Sequence, residues 1–145
     1  MFTRLARLFC AARHSQPAWN ARRSAWAQTY DKGLAGLLLQ PVVVRPDNRS
    51  CHHLYVVRSP RRDALQAHLQ TRGINTGIHY PIPLHLQQCY RRLNYAAGAF
   101  PNAEKACSEV LSLPMFPELE QAQVERVIEA VREFDEQQGL SSRAA

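Results

Sequence analysis

The segment CHHLYVVRSPRRDALQAHLQTRGINTGIHY, Cys51–Tyr80, is the stretch on which the fold turns. Residues 51–58 are rich in β-branched and aromatic side chains, which predicts a strand. Ser59-Pro60 then offers a hydroxyl for an N-cap and a proline for a first helical turn. Leu65 and Leu69 fall on one face of that helix, and Gly73 can close it in the left-handed region. INTGIHY follows as an extended segment. Strand, helix and strand in so short a span point to a small α+β unit.

Working upstream, residues 17–36 read as a helix. Trp19, Trp26 and Tyr30 recur at i, i+7 and i+11, and Gly33 and Gly36 end the pattern. LLLQPVVV then runs into Arg45-Pro46-Asp47-Asn48, a turn by composition. Downstream lies GIHYPIPLHLQ, Gly77–Gln87, whose prolines forbid a helix interior. A short helical stretch is expected around 87–92. Phe100-Pro101 opens another helix, with Ala103, Ala106, Cys107, Val110 and Leu111 at helical spacing. SLPMFP reads as extended, pinned by Pro114 and Pro117. Val124, Val127, Ile128, Val131 and Phe134 form the apolar stripe of a last helix, and GLSSRAA should fray. The expected fold class is α+β: a small antiparallel or mixed sheet from strands near 51–58, 74–79 and 112–116, covered on one face by helices. The expected division is 1–16 as a basic segment, 17–36 as a bridging helix, 37–138 as the domain and 139–145 as a frayed tail.

The bulk properties fit one domain of 145 residues. The net charge is +6, but its excess lies at the start of the chain. No Asp or Glu precedes Asp31, whereas Arg4, Arg7, Arg13, Arg22 and Arg23 do. That is a basic N-terminus, not a nucleic-acid stripe, and no aromatic–basic interleaving suggests a nucleic-acid partner. Residues 1–16 resemble a transit peptide in composition, but a ragged start outside the fold is the preferred reading. No apolar run approaches the roughly 20 residues of a membrane span. The four cysteines are scattered without a CxxC pair, which suggests a reduced, cytoplasmic chain.

Chemistry-bearing patterns are sparse. Cys51, His52 and His53 are consecutive on an expected strand, so their side chains alternate between faces and cannot grip one ion. His79 and His85 lack a second ligand pair at zinc-site spacing, so no metal site is expected. There is no Gly-x-Ser-x-Gly elbow and no glycine-rich phosphate loop. What remains is the proline loop. Pro81 and Pro83 would hold His79, Tyr80 and His85 with little freedom, and a fixed imidazole suits a phosphate or polar sugar. On the residues alone, a purely structural turn is the simpler reading.

HYPIPLH followed at this separation by LSLPMFPEL, within a colinear match from about Trp19 to Phe134, resembles the C-terminal part of the DegT/StrS-type sugar aminotransferases. That resemblance implies the small domain of a pyridoxal-phosphate transferase of the aspartate-aminotransferase fold, fold type I. It implies a homodimer that moves an amino group, usually from glutamate, onto a keto group of a nucleotide-linked sugar. His79 and Tyr80 would face the substrate or cofactor pocket, with His85 a further candidate. The family's Schiff-base lysine has no counterpart, because Lys32 and Lys105 are the sole lysines and neither stands in its motif. The chain is therefore expected to be a fragment without catalytic residues of its own. Its cofactor-binding residues are left unassigned, and no covalent attachment of pyridoxal phosphate is expected. A separate large domain is the expected partner. Glu120 stands where a Thr or Asp cap is expected, which should weaken the start of the last helix. The alternative is a non-catalytic binding or interaction module that uses the Trp19/Trp26 face and the basic terminus. On either reading, an uncovered aromatic face on the first helix would favour self-association.

Overall fold

In the computed structural model, which describes residues 2–143 with side chains from 15 to 138, the strand expected at 51–58 condenses to Tyr55–Arg58. The elements in order are α1 (Phe2–Gly33), β1 (Gln40–Pro41), β2 (Tyr55–Arg58), α2 (Arg62–Thr71), α3 (Pro101–Glu109), β3 (Val110–Leu113) and α4 (Gln121–Arg143). Two 3-10 turns, Leu84–Leu86 and Gln88–Leu93, lie between α2 and α3. The three strands form an antiparallel sheet in the order β1-β2-β3, with Tyr55 opposite Leu113 and Val57 opposite Leu111. The fold class is α+β.

Alternation along the strands decides the layering. Tyr55, Val57, Leu111 and Leu113 are buried together and meet Leu65 and Leu69 of α2 and Val124, Val127 and Val131 of α4 in one core. Each such aliphatic side chain, fully buried, contributes roughly 1.5–3 kcal/mol relative to exposure. The stripe expected on the last helix, Phe134 included, is buried throughout.

The C-terminus of α2 forms as the glycine suggests. Gly73 takes φ +70, its N–H donates to Gln70 O, and the Ile74 N–H donates to Leu69 O. Those two bonds, with Ile74 and Leu69 both buried, make a Schellman closure. Its N-terminus differs from expectation. Ser59 forms a turn in which its Oγ accepts from the Arg61 N–H at 3.2 Å, and the helix begins at Arg62. Arg62 is buried, and its guanidinium donates to the carbonyls of Cys107 and Val110 at the end of α3. A cation there satisfies carbonyls that the helix leaves open.

The sheet also departs from the sequence reading. Segment 74–79 contributes a single bridge, Gly77 to Ser112, on the free edge of β3. The strand expected at 112–116 lies at 110–113, because Val110 and Leu111, which also fit a helical spacing, leave α3 for the sheet. β1 was not anticipated; Pro41 is tolerated there because the strand is short and at an edge.

At the start of α4, Glu120 does leave its carboxylate without a capping role, but Gln123 Oε1 accepts from the Glu120 N–H at 2.9 Å. That supplies the reach-back half of a capping box. The helix continues to Arg143 through the region expected to fray; residues 144–145 lie outside the described residues.

The first helix is longer than its apolar pattern. It runs unbroken from Phe2 through Pro17, so the segment assigned to a ragged start is helical backbone, although the side chains of residues 1–14 lie outside the described residues. Its aromatic face is covered in part. Tyr30 is fully buried against Tyr55, with ring centroids 4.7 Å apart, and its hydroxyl donates to Pro114 O. Trp26 packs against the same core. Trp19 and Trp26 both stay partly accessible, whereas at the end of the helix α4 approaches closely enough that a Cβ on Gly33 would lie 2.6 Å from Ile128 Cδ1. Arg132 Nε donates to Gly33 O, and Asp135 accepts from the Leu38 N–H, which holds the chain as it leaves α1.

Candidate functional site

The proline loop projects from this core between the β3 edge and α3. At its start, Gly77 and Ser112 exchange two backbone hydrogen bonds, of 3.1 and 2.7 Å. His79 lies two residues on, with Nδ1 at 2.9 Å from Ser112 Oγ. Its ring meets Tyr80 edge-on at 5.8 Å between centroids, and Tyr80 is itself 72% exposed. Both candidates therefore stand together and open to solvent, one of them anchored to the sheet.

His85 is placed differently. Its side chain is 8% exposed, Nε2 lies 3.0 Å from Glu104 Oε1, and its ring packs on Phe100 at 4.8 Å. Glu104 also accepts from the backbone N–H groups of Gly98 and Phe100. The Gly98 N–H foremost, with Phe100 and His85 adding to it against a partial desolvation cost, holds the Glu104 carboxyl below the usual carboxylate range. His85 is thus a strut between the loop and α3, and its partner Glu104 escaped sequence reading. A Glu at the fourth position of a helix that follows a glycine turn was the available signal.

Between the loop and α3 lies an open groove of about 630 Å³. Tyr80, Ile82, Leu84, Tyr90, Leu93 and Tyr95 contribute to its apolar lining. His79 is not among its lining residues, so the structure groups Tyr80 and His85 along the groove and leaves His79 beside it, over Ser112. A second polar cluster sits under α1: the buried Tyr55 hydroxyl donates to Asp31 Oδ1 at 2.7 Å. Burial first, then the Asp31 carboxylate, pushes the Tyr55 phenol far up, so it is a fixed donor. No group of three or more His, Cys, Asp or Glu converges as a metal site among the described residues. No helix among them is long and apolar enough to cross a membrane.

Neither lysine lines the groove. Lys32 is exposed at the end of α1. Lys105 is on the outer side of α3, 67% exposed, with Nζ 3.9 Å from Glu109 Oε1.

Similarity to known proteins extends over this same architecture. Residues 6–132 match the model of the DegT/DnrJ/EryC1/StrS aminotransferase family. The chain is 48% identical over 120 residues to a dTDP-3-amino-3,4,6-trideoxy-alpha-D-glucose transaminase of Streptomyces venezuelae, covering 82% of this chain and 32% of that enzyme. It is 44% identical over 121 residues to a pleiotropic regulatory protein of Geobacillus stearothermophilus, with coverage of 80% and 32%. Among solved structures, S. venezuelae DesV in complex with a ketimine intermediate superposes with a TM-score of 0.81 at 48% identity, covering 83% of this chain and 33% of that one. The chain thus spans about a third of the length of the curated relatives it matches. Its proline loop, the strand that anchors that loop and all of its core but Phe134 lie within the matched residues, and the chain belongs to the DegT/DnrJ/EryC1/StrS aminotransferase family.

Proposed function

We propose that residues 37–138 are the small domain of a pyridoxal-phosphate-dependent aminotransferase acting on a nucleotide-linked keto-sugar, with residues 17–36 as its bridging helix. The observation that carries this reading is the continuous match across the loop and its supports, together with the relatives' names as sugar transaminases. His79 and Tyr80 are the substrate-facing pair, exposed and held at the β3 edge, while His85 fixes the loop against α3. Glutamate is the amino donor, the working assembly is a homodimer, and the compartment is the cytoplasm.

The residues of this chain do not fit covalent attachment of the cofactor. An imine-forming lysine works in an enclosed site that lowers its pKa. Lys32 and Lys105 are both exposed, and neither lines the groove. The cofactor's attachment and the amino transfer it enables therefore require elements beyond these 145 residues, and residues 1–145 alone do not transaminate. The alternative is an interaction module working through the Trp19/Trp26 face and the basic terminus; Trp26, packed in part on the core, leaves less of that face free.

A chimera tests the proposal. The matching third of the S. venezuelae transaminase is replaced by residues 6–132 of this chain. The chimera is expected to retain amino transfer, and His79→Ala within it to lower the rate by roughly 10²–10³-fold, the range for loss of one preorganised hydrogen-bond donor. A well-folded chimera without activity would refute the assignment. Separately, borohydride reduction of this chain with pyridoxal phosphate should leave Lys32 and Lys105 unmodified at one equivalent.

A further inference from the structure

Ser112 is an odd residue for its position. It is 4% exposed, on a strand whose neighbours Leu111 and Leu113 belong to the core, yet alternation turns it to the opposite face. There its hydroxyl has one partner among the described residues, His79 Nδ1 at 2.9 Å. The backbone of Ser112 is tied to Gly77 by two hydrogen bonds, and Gly77 is the residue over which the His79 ring folds. A Cβ at position 77 would lie 2.6 Å from His79 Cε1 and 3.3 Å from Nδ1. Glycine is therefore required for the ring to lie where it does.

A serine hydroxyl carries one proton, and a buried hydroxyl proton without an acceptor is costly. If Ser112 accepted from His79 Nδ1–H, its own proton would have no acceptor among the described residues. If it donates, both groups are satisfied. We infer that Ser112 is a positioning residue for His79: its hydroxyl donates to Nδ1, fixes the neutral ring as the Nε2–H tautomer, and presents that N–H as a hydrogen-bond donor to an oxygen of the ligand. The tautomer follows from Ser112 and Gly77 alone; the use of His79 toward a sugar or phosphate oxygen rests on the proposed function. Such a donor suits an acceptor-rich ligand and does not serve as a general base.

The full chain with 15N-labelled histidine, observed by long-range proton–nitrogen correlation above the imidazole titration, tests the inference directly. Wild type should show His79 with Nε2 protonated and Nδ1 bare. Ser112→Ala should collapse this to a fast-exchanging mixture, Ser112→Thr should retain it, and Gly77→Ala, which keeps the hydroxyl but displaces the ring, should lose it. A wild-type ring protonated at Nδ1, or one whose tautomer is unmoved by Ser112→Ala, would overturn the inference. In the chimera, Ser112→Ala should lower kcat/KM about tenfold, the scale of one hydrogen bond. It should add nothing to His79→Ala. If the tautomer behaves as expected but His79→Ala leaves turnover unchanged, the positioning stands and the substrate role of His79 falls.

Discussion

The core and the proline loop are made on opposite plans. In the core, Val57, Leu65, Leu111 and Val131 are sealed on all sides by regular elements. In residues 80–100, Tyr80, Ile82, Leu84 and Leu93 are each more than half exposed, and local order comes from prolines, 3-10 turns and the His79–Ser112 and His85–Glu104 contacts. One part of the chain satisfies itself; the other is shaped in advance and left uncovered. Folding stability should therefore reside in the first, and binding in the second.

The largest expected effect comes from cutting the core. Leu65→Ala should cost about 2–5 kcal/mol in chemical denaturation, because α2, β3 and α4 cannot collapse into the gap. Leu84→Ala, at a side chain 68% exposed, should stay within about 0.5 kcal/mol. Equal losses at the two leucines would break the comparison. A smaller effect is expected at Gly73→Ala. At φ +70 a Cβ strains the backbone by roughly 1–2 kcal/mol, read as a lower denaturation midpoint with unchanged slope.

These two sites also show what the sequence made legible. Gly73 after the Leu65/Leu69 spacing marks its helix end because only local geometry is involved, and the Val124–Phe134 stripe marks α4 for the same reason. The α3–β3 boundary was hidden, since Val110 and Leu111 satisfy helical and strand spacing alike and tertiary packing chose between them. β1 was hidden because LLLQPVVV is apolar throughout and its two-residue pairing with β2 is not a local property. At the site, the loop and its His79, Tyr80 and His85 were conspicuous by their prolines and by family resemblance. Their partners were not: Ser112 is 33 residues from His79, and Glu104 is 19 from His85. Side-chain pairs at such separations leave no periodic trace.

The smallest expected effect sharpens the loop side alone. The Glu104 carboxyl is held below its usual range in the folded chain, so the ordering it provides is present above the ordinary glutamate pKa and is lost as pH falls through its depressed value. The Gly98 amide proton shift should follow that acid titration while Val57 and Leu111 stay unchanged. Glu104→Gln should abolish the titration without moving the core signals. A core that responds in step with Gly98 would show that the two regions are not separate.

Hydrogen–deuterium exchange of the full chain tests the central claim most directly, because it reads both regions in one sample. The account predicts slow exchange across Tyr55–Arg58, Leu65–Thr71, Val110–Leu113 and Val124–Phe134, near the limit set by global unfolding. It predicts exchange faster by orders of magnitude from Tyr80 to Ala99, where few amides have partners within regular elements. Uniform protection across both regions, or rapid exchange in β2 and β3, would contradict it.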